Sequence, residues 1–262
     1  MSLQISMVIF QQKPRLSMKE FQRVLSSRWK DLPTVVEASE PEGALSCRIG
    51  AADVVVAVMD APIPWSDLEG PCATSILWPD AAADIRHHPC HGLVTVRGEL
   101  SPVALSMLLT QVTAAVMKST PEAIGVYWGN ATMVIPKDFF VDCAVKMRAD
   151  RLPVPLWVDG RVGWAEGKKN VSAGFTTGLA ALGLMELEAV HATESPSDLK
   201  DRFEAVSHYL LENGPVIKDG DTLGEHEEIT VHLRESVFGI KGEVMQLSYS
   251  PTKEKKSWWK RW

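Results

Sequence analysis

Cysteine is scarce in this sequence, and its placement excludes several kinds of site. The four cysteines, Cys47, Cys72, Cys90 and Cys143, are scattered through 262 residues without a CxxC pair. A disulfide framework or a cysteine-rich zinc site would need regular spacing. We therefore expect reduced thiols in a cytosolic protein, where cysteine behaves as a small buried hydrophobic residue.

Long hydrophobic runs and a basic excess are also missing. No stretch approaches the about 20 apolar residues that a membrane span needs, and the N-terminal segment MSLQISMVIFQQK does not resemble a secretory leader. The formal net charge of −6 disfavours a general nucleic-acid surface, since lysine and arginine dominate phosphate binding. We therefore predict a cytoplasmic protein without a membrane span, which does not bind nucleic acid and whose charge suits a basic partner.

Motifs that would define an enzyme are absent or incomplete. No GxSxG occurs, and the segment Gly163–Lys169 is one residue too short for a phosphate-binding loop. His226 and Glu227 begin like the metalloprotease pattern HExxH, but Thr230 stands where the second histidine must be. The alternation of polar and apolar residues after His226 instead predicts a half-buried strand.

One short segment combines residue types that bind metals. His88, Cys90 and His91 lie within four residues, but no second pair of ligands with suitable spacing occurs elsewhere. The alternative is a helix end that leads into a strand, where histidine caps backbone carbonyls. We predict this structural role, and neither a bound metal nor a cofactor.

The segment from Ile85 to Pro136 is the structural centre of the chain. Ser101 and Pro102 are a typical helix start, and the following helix, Val103–Met117, is apolar on nearly every face. Such a helix is buried on more than one side. Short runs rich in β-branched and aromatic residues precede and follow it, which predicts a sheet beneath the helix.

The remaining elements alternate irregularly and favour antiparallel hairpins, which predicts an α+β fold. We expect mixed or antiparallel sheets with helices packed on one face, arranged as two associated halves. The halves are residues 1–150 and 154–250, separated by the proline-containing linker Arg151–Pro155 and followed by a tail, 251–262. One continuous domain is the alternative.

Two pairs of carboxylates lie two residues apart in the second half. They are Glu186 with Glu188 in LMELEAV, and Asp219 with Asp221 in KDGDT. Neighbouring carboxylates on one face of a strand can perform acid–base chemistry or hold a cation. The alternative is a solvated surface, or groups that order a loop.

Several segments together resemble the bacterial domain-of-unknown-function family 4261. His88-x-x-His91 precedes GLVTV, and further along the chain come AIGVYWGNATMVIP, PLWVDGRV, TTGLAALGLMELEAV and YLLENGPVIKDGDTLG. The resemblance extends from about Val54 to Tyr249. It implies a bacterial cytosolic protein but no activity and no catalytic residue. Small α+β families of this kind are often encoded beside secreted antibacterial toxins, where they act as immunity proteins.

Three functions follow as hypotheses. The first is a non-enzymatic immunity protein that binds a cognate toxin through acidic residues of the second half, namely Glu186, Glu188, Asp219, Asp221, Glu225, Glu227 and Glu228. The second is an accessory component of a bacterial protein assembly. The third is an enzyme that uses carboxylates of the second half. In the tail, Trp258, Trp259 and Trp262 lie among basic residues and suit partner docking or contact with a membrane surface.

Overall fold

The computed structural model describes residues 2–224 and 229–249. In this part of the chain, seven α-helices and two β-sheets alternate irregularly. One sheet is antiparallel throughout, and the other is mixed. The predicted α+β class is therefore confirmed.

The first half forms a seven-stranded sheet with five helices. Its elements in chain order are β1 (Ser2–Phe10), α1 (Met18–Arg28), β2 (Val35–Ser39), β3 (Ala44–Ile49), β4 (Ala52–Met59), α2 (Trp65–Thr74), α3 (Ala81–Ile85), β5 (Cys90–Gly98), α4 (Pro102–Ser119), β6 (Ala123–Trp128), β7 (Met133–Pro136) and α5 (Lys137–Lys146).

The strand order in this sheet is β2-β3-β4-β5-β1-β6-β7. Strand β1 therefore lies between β5 and β6, although both follow it late in the chain. Strands β4 and β5 are paired, with Val54 opposite Val96 and Val56 opposite Val94. This pairing places both strands in one sheet.

Helices cover both faces of the first sheet, which corrects the expectation of a single covered face. Alternate residues of β1 point to opposite sides. Val8 and Phe10 join the main core under α4, whereas Ile9 joins a smaller core with Val134 and the α2–α3 segment. Trp78 of that segment packs against Gly125, where an added Cβ would come within 2.2 Å of its ring.

Helix α4 is the buried centre that its sequence predicts. Its first turn is capped by Ser101, whose Oγ accepts a hydrogen bond from the Ala104 N–H at 3.2 Å. Leu105, Leu109 and Val112 have no exposed surface. Of the helices in the described residues, α4 included, none has both the length and the hydropathy to cross a membrane.

In its described residues, the second half contains two helices and a six-stranded sheet. Its elements are α6 (Val154–Trp157), β8 (Asp159–Trp164), β9 (Ser172–Thr177), β10 (Leu187–Ala192), α7 (Pro196–Asn213), β11 (Thr222–Leu223), β12 (Ile229–Glu235) and β13 (Glu243–Tyr249). The strand order is β11-β12-β13-β10-β9-β8, and only β10 and β13 are parallel neighbours among these strands. Helix α7, capped by Ser195, packs on β8 and β9.

The predicted linker is a buried junction. Val154, Leu156 and Trp157 are almost fully buried, and they belong to a core cluster with residues of both halves. The Trp157 indole N–H donates to Thr110 Oγ1 of α4 at 2.9 Å. Strand β8 begins only at Asp159, because residues 154–157 form a helical turn with proline in its first positions.

The cysteines behave as the sequence predicts. All four are free thiols, and Cys47, Cys72 and Cys90 are buried. Burial raises the pKa of Cys47 to about 11, so its thiol stays protonated.

Replacing Val112 with aspartate tests the role of α4. A carboxylate at this fully buried position has no partner, so we expect a loss of at least about 3 kcal/mol in the free energy of unfolding. Urea unfolding followed by circular dichroism measures this loss. The control is Gln111→Asp, one residue away at a half-buried position, which should stay folded. A folded Val112→Asp protein with nearly unchanged stability would contradict the buried position of α4.

Candidate interaction surface

Glu186 lies immediately before β10 and holds a turn inside the protein. Its carboxylate accepts hydrogen bonds from Thr176 Oγ1 at 2.8 Å and from the N–H groups of Gly178 and Ala180 at 2.8 and 2.9 Å. Glycine is required at 178, because its φ is +115° and a Cβ would lie 2.0 Å from the Trp157 carbonyl oxygen. Glu186 is only 5% exposed, and it fixes the connection from β9 to β10.

Glu188 is fully buried on β10 and holds a different segment. Its carboxylate accepts hydrogen bonds from Ser236 Oγ at 2.6 Å, from the Val237 N–H at 3.1 Å and from Gln246 Nε2 at 3.1 Å. Ser236 Oγ in turn accepts from the N–H groups of Phe238 and Ile240, both at 3.1 Å. Glu188 therefore fixes the loop between β12 and β13.

These positions correct the expected role of the first carboxylate pair. Glu186 and Glu188 are inside the protein, so neither offers a charged surface to a partner. Among the described residues they also share no hydrogen-bond partner, so they do not form a paired acid–base site there. Their neighbours in space come from other strands and loops, which no local pattern reveals.

The second carboxylate pair stays at the surface and orders a loop. Asp219 Oδ1 accepts from the Leu233 N–H at 2.9 Å, and it lies 3.6 Å from His232 Nδ1. Asp221 Oδ2 accepts from the Lys218 N–H at 2.7 Å. Both residues are exposed and remain available to a partner. The other predicted residues, Glu225, Glu227 and Glu228, lie outside the described residues, as do His226 and the tail with Trp258, Trp259 and Trp262.

The sequence analysis missed an exposed apolar tip on the β12–β13 hairpin. Val237 is 64% exposed and Phe238 is 40% exposed, although Glu188 fixes the loop that carries them. The Phe238 ring lies 5.2 Å from the ring of Phe175 on β9. We call residues 236–240 the hairpin tip. The only available signal was an apolar pair, Val-Phe, between polar residues and a glycine.

Two acidic residues face each other where the hairpin tip begins. Glu235 ends β12 and pairs directly with Glu243, which starts β13. Both are exposed, and in the described part of the chain neither forms an ion pair. Like charges in opposite positions on neighbouring strands destabilise a sheet. A basic partner would relieve this repulsion.

The acidic surplus is concentrated in the second half. Residues 154–250 contain 16 aspartates and glutamates against 8 lysines and arginines, whereas residues 1–150 contain 16 against 13. The hairpin tip therefore lies in the more acidic part of the chain.

The histidine segment has a structural role. His88 is 5% exposed, its Nδ1–H donates to the Ile85 carbonyl at 2.6 Å, and its Nε2 accepts from the Ile63 N–H at 2.8 Å. His91 Nδ1 lies 2.8 Å from the Ala61 carbonyl oxygen. Residues 2–224 and 229–249 contain no group of three or more His, Cys, Asp or Glu placed to hold a metal ion.

The architecture is that of an α+β protein with two sheets, and its second half carries the hairpin tip. Residues 175–248 match the model of a family described as Domain of unknown function (DUF4261). This match confirms the resemblance expected from the sequence for the segment from β9 to β13. It begins much later in the chain than the expected start near Val54. No curated protein and no solved structure matches the chain.

Replacing Glu188 with alanine tests its hold on the hairpin tip. The change leaves the donors of Ser236, Val237 and Gln246 without their acceptor, so we expect a loss of about 2–4 kcal/mol in the free energy of unfolding. Urea unfolding measures it. Glu243→Ala is the matched control at an exposed position and should change stability by less than about 0.5 kcal/mol. Equal effects of the two changes would show that Glu188 does not carry the loop.

His88 should make the free energy of unfolding depend on pH. Burial is the main cause that lowers its pKa, and the nearby His91 lowers it further. Below a pH of about 6.5 the unfolded chain therefore binds a proton that the folded chain does not bind. The free energy of unfolding should therefore decrease as the pH decreases.

Unfolding free energies at pH values of about 7.5 and about 5.5 test this dependence. The variant His88→Gln should lose less stability between the two values than the native sequence. The exposed neighbour provides the control, His87→Gln, which should keep the native dependence. The same change in unfolding free energy between the two pH values in all three proteins would contradict the role of His88.

Proposed function

We propose that this chain is a non-enzymatic protein-binding module that acts in the bacterial cytoplasm as an immunity protein and neutralises an antibacterial toxin by covering it. The observation that carries the proposal is the hairpin tip. It exposes Val237 and Phe238 on a loop that the buried Glu188 fixes.

The energetics of this loop support a binding role. A buried carboxylate is costly unless donors surround it, and here the donors come chiefly from the tip. The resulting network orders a loop whose own side chains, Val237 and Phe238, remain largely in solvent. A partner that binds an ordered loop loses less conformational entropy, and a few apolar or aromatic anchors typically carry most of the binding energy.

Electrostatics support a basic partner. Glu235 and Glu243 flank the tip without ion-pair partners among the described residues, and the second half has a clear acidic surplus. Such charges chiefly raise the association rate, and salt screens their effect. Asp219 and Asp221 remain candidates for the rim of this surface, where single charges contribute little to affinity.

Binding to the product of the neighbouring gene tests the proposal. We expect a stable complex with a toxin and restored growth of cells that produce both proteins. The variant Val237→Ser with Phe238→Ser should weaken the affinity by about tenfold or more, because it removes both anchors. The control is Val36→Ser, which changes an exposed apolar residue of the first half. Biolayer interferometry measures both affinities.

Charge reversal separates steering from anchoring. Glu235→Lys combined with Glu243→Lys should slow association at low salt while leaving the fold intact. Asp67→Lys, in the first half, is the matched control and should leave the rate unchanged. A stable complex without neutralisation would instead favour a component of a larger assembly, and no complex at all would refute the proposal.

A further inference from the structure

A cavity of about 210 Å³ lies between the two halves. The segment after α2, strand β7, helix α6, the start of β8 and helix α7 form its walls. Most of the wall is apolar and includes Ile76, Val134, Val158 and Phe203. An apolar cavity of about 150 Å³ already holds a benzene ring. This cavity therefore has room for one aromatic ring or a branched alkyl group.

Most polar groups of the cavity wall already have partners. Ser75 Oγ donates to the Val134 carbonyl and accepts from the Trp78 N–H. Thr176 Oγ1 donates to Glu186 and accepts from the Leu187 N–H. These hydroxyls therefore need no ligand to satisfy them.

The charged groups of the wall differ in their availability. The Asp159 carboxylate accepts from Arg161 Nε at 3.0 Å, which neutralises it. Glu204 is exposed and lies 4.0 Å from His208. Lys200 is half-buried, and within the described part of the chain its ammonium has neither an ion pair nor a hydrogen bond. The stem of Lys200 lies beside Gly160, where an added Cβ would be 3.6 Å from its Cγ.

The geometry points to a binding site for a small carboxylate with a ring-sized apolar group. The apolar group occupies the cavity, and the carboxylate pairs with the Lys200 ammonium. An anion is favoured over a cation because Arg161 already pairs with Asp159, while solvent screens Glu204. The cavity walls named here share no residue with the hairpin tip, so this site stands or falls separately from the proposed function.

Three probes that share one ring test this site on the full chain: benzoate, benzyl alcohol and benzylamine. Isothermal titration calorimetry should show saturable binding of benzoate, about tenfold tighter than that of benzyl alcohol, because of the charged contact. Lys200→Met should remove this advantage. Lys169→Met is the matched control at an exposed position. It should change neither the benzoate affinity nor the benzyl alcohol affinity.

A second variant tests the cavity itself. Gly160→Val should fill part of it and weaken the binding of both benzoate and benzyl alcohol, since an added Cβ meets only ordinary contacts there. Circular dichroism checks its fold, and Lys200→Met decides the matter if that variant does not fold. The site is refuted if benzoate shows no saturable binding, if benzylamine binds more tightly than benzoate, or if Lys200→Met binds benzoate unchanged.

Discussion

The burial of α4 on almost every side is the interaction on which both halves of the protein depend. Strands β1 and β5 lie beneath it, α1 and α5 pack beside it, and the turn at residues 180–182 of the second half also contacts it. Trp157 adds a hydrogen bond from the junction to Thr110. Because α4 has apolar residues on most faces, it is shielded from water only when both halves are in place.

Polar groups at the same place make this packing specific. Gln4 of β1 donates to the carbonyls of both Pro102 and Ala181, and its own oxygen accepts from Ser106. Thr113 hydrogen-bonds to Ser6 at 2.7 Å. Buried polar groups need partners, and a shift of one half against the other would break the hydrogen bond from Gln4 to Ala181. The proline-containing segment thus joins two sheets through one continuous core.

The same rule explains the division of roles among the carboxylates. Glu186 and Glu188 are surrounded by donors and order the backbone, whereas Glu235 and Glu243 meet at the surface with no compensating charge among the described residues. The buried hydrogen bonds of Glu188 thus order the hairpin tip, which exposes apolar residues at the surface beside Glu235 and Glu243. This arrangement lies within residues 175–248, the segment that matches the family model.

Local rules were sufficient for much of the fold. The sequence predicts Ser101 as a helix cap, because a cap reaches only three residues along the chain. The burial of α4 follows in the same way from the apolar residues on nearly every face of the helix. These features depend on residues that are close in sequence, so the sequence pattern alone predicts them.

Only the tertiary structure decided the role of Glu188 and the position of the candidate sites. Residues two apart in LMELEAV look like one acidic face, yet the partner of Glu188 at Ser236 lies 48 residues further along the chain. The cavity likewise exists only where segments distant in sequence meet, and the hairpin tip is fixed by Glu188 from another strand. The position of a residue in its strand determines the face of the sheet on which its side chain lies. Whether that face is buried depends on which other part of the chain covers it.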